Sequence, residues 1–534
     1  MKFSRLSVLW FCAAATLVCA IASLASAWGW IVPSLAFLAL SLLGLRDITQ
    51  TRHSILRNYP IIGHVRWMIE AVGPELRQYL FEDGRHQAPF TRDQRNLVFR
   101  RAKGDLSEEP FGTRDDVYEN GYEFIGHSNQ PAATPDHRTF RIDIGGPDCT
   151  QPYSASIFNI SAMSFGSLSE NAILALNKGA ATGGFAHDTG EGSISPHHRV
   201  HGGDLIWEIG SGYFGCRRND GTFDPERFAQ QATDPQVRMI ELKMSQGAKP
   251  GHGGILPAAK VTPEIAETRG VPMGVDCVSP SSHRAFSDPI GMMRFLADLR
   301  RLSGGKPVGF KLCIGQPWEF MAMVKAMIET GFVPDFIVVD GAEGGTGAAP
   351  VEFANHMGMP LREGLLFVHN VLVGAGLRDH VRIGAAGKIT SAFDIAAIMA
   401  LGADWVNAGR GFMFALGCIQ SLSCNTNRCP TGIATQDKAR QKALVVPDKA
   451  ERVAGFHRRT LHALAEMIAA AGIDHPSRLK AQHLVRRVSR TEIRLFSDLH
   501  VFLKPGQLLS GEGDHDFYAD AWRAADPRSF SLPA

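Results

Sequence analysis

From residue 156 to about residue 410, short apolar runs alternate with amphipathic stretches. Apolar runs of strand length occur at residues 156–162, 184–188, 239–244, 274–278, 308–313, 336–339, 381–385 and 405–408. Residues 289–302, 318–330, 392–401 and 448–471 instead place apolar side chains at helical spacing. Eight short strands with helices between them predict an α/β fold, a closed parallel (β/α)8 TIM barrel. The loops after the strands then sit at the C-terminal face, where the chemistry of such barrels is found. The barrel with its following loop is expected over residues 151–445. Residues 446–534 read as a C-terminal helical segment packed on the outside. Residues 49–150 form a lead-in segment, partly helical. Within it Ile62, Val65, Trp67, Met68, Ile69, Val72, Leu76, Tyr79 and Leu80 recur at helical spacing and read as a face packed into a core.

The N-terminus has a different pattern. No charged residue occurs between Arg5 and Arg46. That run is too long for one span and predicts a two-span membrane anchor over residues 1–48, with helices near 6–24 and 30–45. Ala27-Trp28-Gly29-Trp30 would form the turn, with both tryptophans at the membrane–water interface. Lys2 and Arg5 precede the first span, and Arg46, Arg52 and Arg57 follow the second, so both ends are expected in the cytoplasm. The rival is a secretory signal peptide, with residues 1–5 as its basic region and Ala25-Ser26-Ala27 as a cleavage site. The second apolar segment argues against it.

Charge adds little. Lys and Arg number 55 against 53 Asp and Glu, so nothing points to nucleic acid. The nine cysteines matter more, because Cys418, Cys424 and Cys429 fall on one loop spaced C-x5-C-x4-C, followed by Pro430. A soft metal centre is a physical reason to gather three thiolates. Zinc and the common iron–sulfur clusters take four protein ligands, and no further Cys or His lies near. Three thiolates suit a [3Fe–4S] cluster; a zinc site with a distant fourth ligand is the alternative. Either implies reduced thiolates and a reducing compartment.

Ala386-Gly387-Lys388 and Ala408-Gly409-Arg410-Gly411 follow the seventh and eighth strands, where barrels of this kind recurrently build a phosphate site. Lys311 lies inside an apolar strand, which is costly unless it is salt-bridged or functional. Gln246 and Lys249 lie on the loop after the third predicted strand, where cations and amides could hold a dicarboxylate, or could simply be solvated. Residues 210–215 fit G-x-G-x-x-G, but turn-forming residues follow where a dinucleotide site needs a helix.

The cysteine loop reads Ala-Leu-Gly-Cys-Ile-x4-Cys-x4-Cys-Pro-Thr-Gly-Ile-Ala-Thr-Gln-Asp over residues 415–437. It resembles the cluster loop of the FMN-binding domain of glutamate synthase. Four upstream motifs resemble that domain in the same order. They are Met163-Ser164-Phe165-Gly166-Ser167-Leu168-Ser169, Thr189-Gly190-Glu191-Gly192, residues 243–251 and Gly344-Gly345-Thr346-Gly347-Ala348-Ala349-Pro350. The resemblance implies FMN and a [3Fe–4S] cluster on Cys418, Cys424 and Cys429. It assigns Met163, Ser164, Lys311, Gly387, Gly409 and Arg410 to the flavin, and Glu191, Gln246 and Lys249 to substrate and catalysis. The implied reaction reduces 2-iminoglutarate, formed from 2-oxoglutarate and ammonia, to glutamate. The partners are then a 2-oxo acid or amino acid, the membrane, and a one-electron donor or acceptor protein. No amidotransferase with an N-terminal cysteine nucleophile is apparent, so free or partner-supplied ammonia is expected. One departure stands out: the family pattern Pro-Gly-Glu-Gly-Gly-Gln reads Pro250-Gly251-His252-Gly253-Gly254-Ile255, which puts Ile255 at a substrate ligand's place. An FMN-dependent amine or amino-acid dehydrogenase serving a membrane or ferredoxin-type acceptor is therefore an alternative. A cofactor-free tethered interaction protein is another.

Overall fold

The computed structural model describes residues 5–25, 28–82, 88–105, 108–511 and 516–531. It divides into two units, Met1–Arg92 and Asp93–Ala534.

In the first unit, helices α1 (Ser7–Ala25) and α2 (Ile31–Thr49) form a hairpin through the turn Trp28–Trp30. Both are long and apolar enough to cross a membrane. Ser34 Oγ donates to the Thr16 carbonyl at 3.3 Å, and Phe11 meets Phe37 edge-on. Their outer faces leave Trp10, Leu17, Val18, Leu35 and Leu42 exposed. The proposed cleavage residues Ser26 and Ala27, the latter also placed at the turn, lie outside the described residues. Helix α3 (Gly63–Leu76) follows and continues as one wider turn, Arg77–Phe81. The expectation that residues 62–80 pack into a core is corrected here. Val65, Met68, Ile69, Val72, Leu76 and Leu80 are exposed, because no described element of this unit lies over that face.

The second unit is built on a closed eight-stranded parallel barrel. Its strands are β1 (Phe158–Ile160), β2 (His187–Asp188), β3 (Leu205–Ile209), β4 (Val237–Lys243), β5 (Val308–Leu312), β6 (Phe336–Asp340), β7 (Arg382–Ala386) and β8 (Trp405–Ala408). The barrel closes where Val406, Asn407 and Ala408 of β8 pair with Phe158, Asn159 and Ile160 of β1. Seven strands match the expected runs. The fourth expected run, residues 274–278, is no barrel strand, and β3, which had no expected run, completes the eight. Cys277–Val278 instead pairs antiparallel with Ile255–Leu256, and Gly274 at φ 78° and Asp276, which accepts from Ala258 N, turn the chain. Strand β3 was hidden because its short run, Leu-Ile-Trp-Glu-Ile, carries Glu208 and passes straight into the glycine-rich 210–215 segment. As a result, Gln246 and Lys249 follow the fourth strand, not the third.

The helices obey local rules. Ser169 caps α4 (Glu170–Gly183) by accepting from Ala172 N, and Gly184 at φ 66° ends it. Helices α5 (Arg410–Leu416) and α6 (Val446–Ala470) pack on the β1 side of the barrel. There His457 stacks on Phe185 at 4.0 Å and meets Ser156 Oγ at 3.0 Å. The closing stretch is not purely helical. Leu484–Arg487 pairs with Ile493–Leu495 across the Ser489–Glu492 turn and with Glu123–Ile125 upstream.

Candidate active site

Alternate residues of a barrel strand point inward. In β2 to β5 that alternation brings four charges together: Asp188, Glu208, Glu241 and Lys311, all buried. Asp188, Glu208 and Glu241 each place a carboxylate oxygen within 4.8 Å of the others. Lys311 Nζ is ion-paired with Glu208 and lies 3.5 Å from Glu241 Oε1. Like charges this close cannot all ionise. Burial and then the Glu208 charge push Asp188 up to about 7, and burial with Asp188 raises Glu241 well above its ordinary value. Burial alone would lower Lys311, but Glu208 and Glu241 outweigh it and hold the ammonium charged. The cost of burying Lys311 is thus met by salt bridges inside the barrel.

At the mouth, Lys243 ends β4 and joins the expected substrate residues. Its Nζ lies 3.0 Å from Glu191 Oε2 and donates to Gln246 Oε1 at 3.1 Å. Lys249 is buried and donates to the Gly253 carbonyl at 2.7 Å. Burial would raise Glu191, yet Lys243, with Arg269 and Lys249 beyond it, keeps the carboxyl below its ordinary range. Glycine is required around it: a Cβ on Gly210 would lie 2.9 Å from Glu191 Oε2. Ile255 lies partly exposed on the neighbouring hairpin. The mouth therefore holds one carboxylate among several cations, a setting that can bind carboxylates and orient an amine.

The loops expected to hold a flavin converge beside it. Gly190 adopts φ 64°, and a Cβ there would lie 2.6 Å from Ser164 N and 3.0 Å from Met163 backbone atoms. A Cβ on Gly409 would touch Met163 Sδ at 3.7 Å. Arg410 donates to the Glu343 carbonyl at 2.6 Å, and burial lowers its guanidinium to about 10. Lys388, at φ 50° beside Gly387, is lowered by burial and then by Arg410. Two cations brought together after β7 and β8 fit a phosphate dianion, and the Gly190 backbone packs directly on Met163 and Ser164 beside them. The G-x-G-x-x-G segment leaves β3 as a turn, with Tyr213 at φ 48°, and the next helix begins only at Pro225.

The cysteine loop is stitched to this region. Lys260, buried, donates from Nζ to the carbonyls of Cys424 (2.9 Å), Ala434 (3.1 Å) and Ser167 (3.3 Å). Gln436 Nε2 donates to the carbonyls of Gly166 and Leu168, both at 3.0 Å. A Cβ on Gly347 would lie 3.2 Å from Cys424 Cβ. Gln420, Leu422 and Asn427 all hold left-handed backbone, a strained arrangement for side chains and one found where function fixes a loop. Cys418, Cys424 and Cys429 are free thiols, and burial pushes Cys418 up to about 12. Among the described residues, the groups whose ligand atoms all lie within 4.8 Å of one another do not include this triplet.

The sequence had not signalled Lys243, Arg269, Lys260, Glu208 or Glu241 as site residues. The signal existed for two of them: Glu208 and Glu241 are charges inside apolar strands, as Lys311 is.

The conserved region in glutamate synthase matches residues 148–474. The glutamate synthase large subunit-like protein YerD of Bacillus subtilis is 38% identical over 502 residues, covering 86% of this chain and 95% of that protein. The archaeal-type glutamate synthase [NADPH] of Thermotoga neapolitana is 35% identical over 317 residues, 59% of each chain. The archaeal glutamate synthase [NADPH] of Methanocaldococcus jannaschii is 36% identical over 318 residues, again 59% of each. With its closed barrel and a family match over more than half its length, the chain belongs to the glutamate synthase family of oxidoreductases.

Proposed function

We propose that this chain is a membrane-anchored flavin and iron–sulfur oxidoreductase that reduces 2-iminoglutarate, formed from 2-oxoglutarate and ammonia, to glutamate. The observation that carries the reading is the mouth constellation of Glu191, Lys243, Gln246 and Lys249, joined through the 163–168 loop to the three-cysteine loop. The relatives named as glutamate synthases support it. FMN, when bound, supplies hydride to the imine carbon, and a [3Fe–4S] cluster supplies electrons singly from a carrier protein.

The chain's own residues do the rest. Met163, Ser164, Gly387 and Gly409 line the FMN site, and Arg410 with Lys388 offers its phosphate two cations. Cys418, Cys424 and Cys429 are the cluster thiolates. Lys311 fixes a positive charge inside the barrel, balanced by Glu208. Gln246, Lys249 and Lys243 bind substrate carboxylates, and ionised Glu191 accepts N–H from ammonia or amine and orients it. Helices α1 and α2 anchor the chain, with the catalytic unit in the cytoplasm.

A second reading rests on Ile255. An apolar side chain at that hairpin favours a substrate with a less polar end and thus an amine or amino-acid dehydrogenase. The test is anaerobic. Enzyme reduced by dithionite is mixed with 2-oxoglutarate and ammonium, and flavin absorbance and glutamate are followed. Reoxidation with matching glutamate is expected. If no 2-oxo acid reoxidises the flavin while an amino acid or amine reduces it, the dehydrogenase reading replaces this one.

A further inference from the structure

Helix α3 carries an apolar face that the proposed spans do not account for. On α3 Val65, Met68, Ile69, Val72 and Leu76 fall within an arc of about 100°, with Ile62 in the turn just before it, and Arg66, Glu70 and Arg77 lie outside the arc. All six apolar side chains are exposed, Met68 by 61% and Ile69 by 55%. A helix of 14 residues gains little stability from propensity alone, so this face needs something to bury it.

Three observations identify the occupant. First, the start of α3 is tied to the end of α2. The buried Asp47 carboxylate accepts from Ile61 N at 2.9 Å and lies 2.9 Å from His64 Nε2. Ile61 packs on bare backbone at Gly44, where a Cβ would meet Ile61 Cγ1 at 3.0 Å. The apolar face therefore begins beside Arg46, where the uncharged run of the second span ends. Second, the approach to the face is basic: residues 46–61 contain Arg46, Arg52 and Arg57 against Asp47 alone, which is enclosed by its partners, while on the helix Arg66 pairs with Glu70 at 2.8 Å. Third, exposed aromatic side chains flank the face: Tyr59, Tyr79 and Trp67, the last against His53 at 5.5 Å. Such rings favour the level of lipid headgroups.

We propose that α3 is an interfacial helix that lies in the plane of an anionic lipid surface, with its apolar face in the acyl boundary and its arginines among the headgroups. The Asp47 clamp sets where the chain leaves the second span and turns along the surface. The proposal rests on reading α1 and α2 as spans.

The test uses the full chain reconstituted in vesicles of phosphatidylcholine and phosphatidylglycerol. A genetically encoded fluorescent side chain replaces Val65, Ile69 or Val72, or Arg66 or Glu70, or Leu17 of α1. Brominated acyl chains should quench the probe at 17, 65, 69 and 72, and aqueous iodide should quench it at 66 and 70. Omitting phosphatidylglycerol should weaken lipid quenching at 65, 69 and 72 and leave position 17 unchanged. If 17 responds to brominated lipid but 65, 69 and 72 respond to iodide as 66 does, the spans stand and the surface helix is refuted. If neither quencher reaches 65, 69 and 72, protein covers the face and the proposal is equally refuted. If 17 does not respond to lipid, the span reading fails and takes this one with it.

Discussion

Lys311 shows how a single residue's role is settled by its neighbours. Its pairing with Glu208 and Glu241 leaves the barrel interior one firmly charged cation and carboxyls that compete for protons. Lys311→Met should therefore leave a buried carboxylate unpaired and cost about 3–5 kcal/mol, read as a lowered melting midpoint. Glu241→Gln should cost less, because burial and Asp188 already push the Glu241 carboxyl well above its ordinary value. Equal losses from both would contradict this division of charge. At the mouth, Lys249→Met should weaken 2-oxoglutarate binding by about 2–5 kcal/mol, measured as a raised KM with flavin content unchanged. A cost argument on buried charge picks out Lys311 from sequence, and the same argument applies to Glu208 and Glu241. It fails for Lys243 and Lys260, because only the folded loops show what their ammonium groups reach.

At the scale of elements, seven of the eight barrel strands are legible as apolar runs, even where Glu241 or Lys311 lies inside one. Strand β3 is not, since its short run also carries Glu208 and the glycine-rich 210–215 segment follows at once. The face of α3 is legible as amphipathic, but the pattern does not say whether protein or another phase covers it. Close approach of backbones gives a sharper prediction. Gly247, after β4, has no room for a Cβ beside the Gly341 carbonyl after β6. Gly247→Ala should displace the loop bearing Gln246 and Lys249 and raise KM for the oxo acid far more than it lowers the melting midpoint. A helix gives a pH prediction. Burial holds His457 of α6 at about 3, against an ordinary value of 6.5, and it holds His187 of β2 at about 3. The unfolded chain takes up these protons first. The stability of the neutral rings is therefore complete above 6.5 and is lost as pH falls from 6.5 toward 3, at up to about 1.4 kcal/mol per pH unit for each ring. Melting midpoints measured from pH 7.5 downward should fall below about 6.5. His457→Gln should make that fall shallower; an unchanged slope would contradict the assignment.

At the scale of the whole molecule, the two units have different demands. The first exposes apolar helices that water alone would not tolerate, and the second encloses charges that only a completed barrel can hold. If both ends of the hairpin lie in the cytoplasm, as proposed, reporter fusions after residue 48 should behave as cytoplasmic, and the isolated protein should retain its first residues. A mature N-terminus at Trp28 would instead favour the cleaved signal. The fold and the family are legible from the order of loop motifs along the chain. The substrate is not, because Ile255 departs from the family pattern at the position where the resemblance would name a ligand. The central claim is that one barrel holds FMN beside a three-iron cluster. The most direct measurement is on the full chain isolated without air: the flavin released on denaturation is identified, and iron, acid-labile sulfide and zinc are assayed beside the electron spin resonance spectrum of the oxidised protein. The account predicts FMN, iron with sulfide and a three-iron signal, with iron and signal lost in the Cys418→Ser, Cys424→Ser, Cys429→Ser triple variant. FAD, zinc alone, or iron retained in that variant would contradict it.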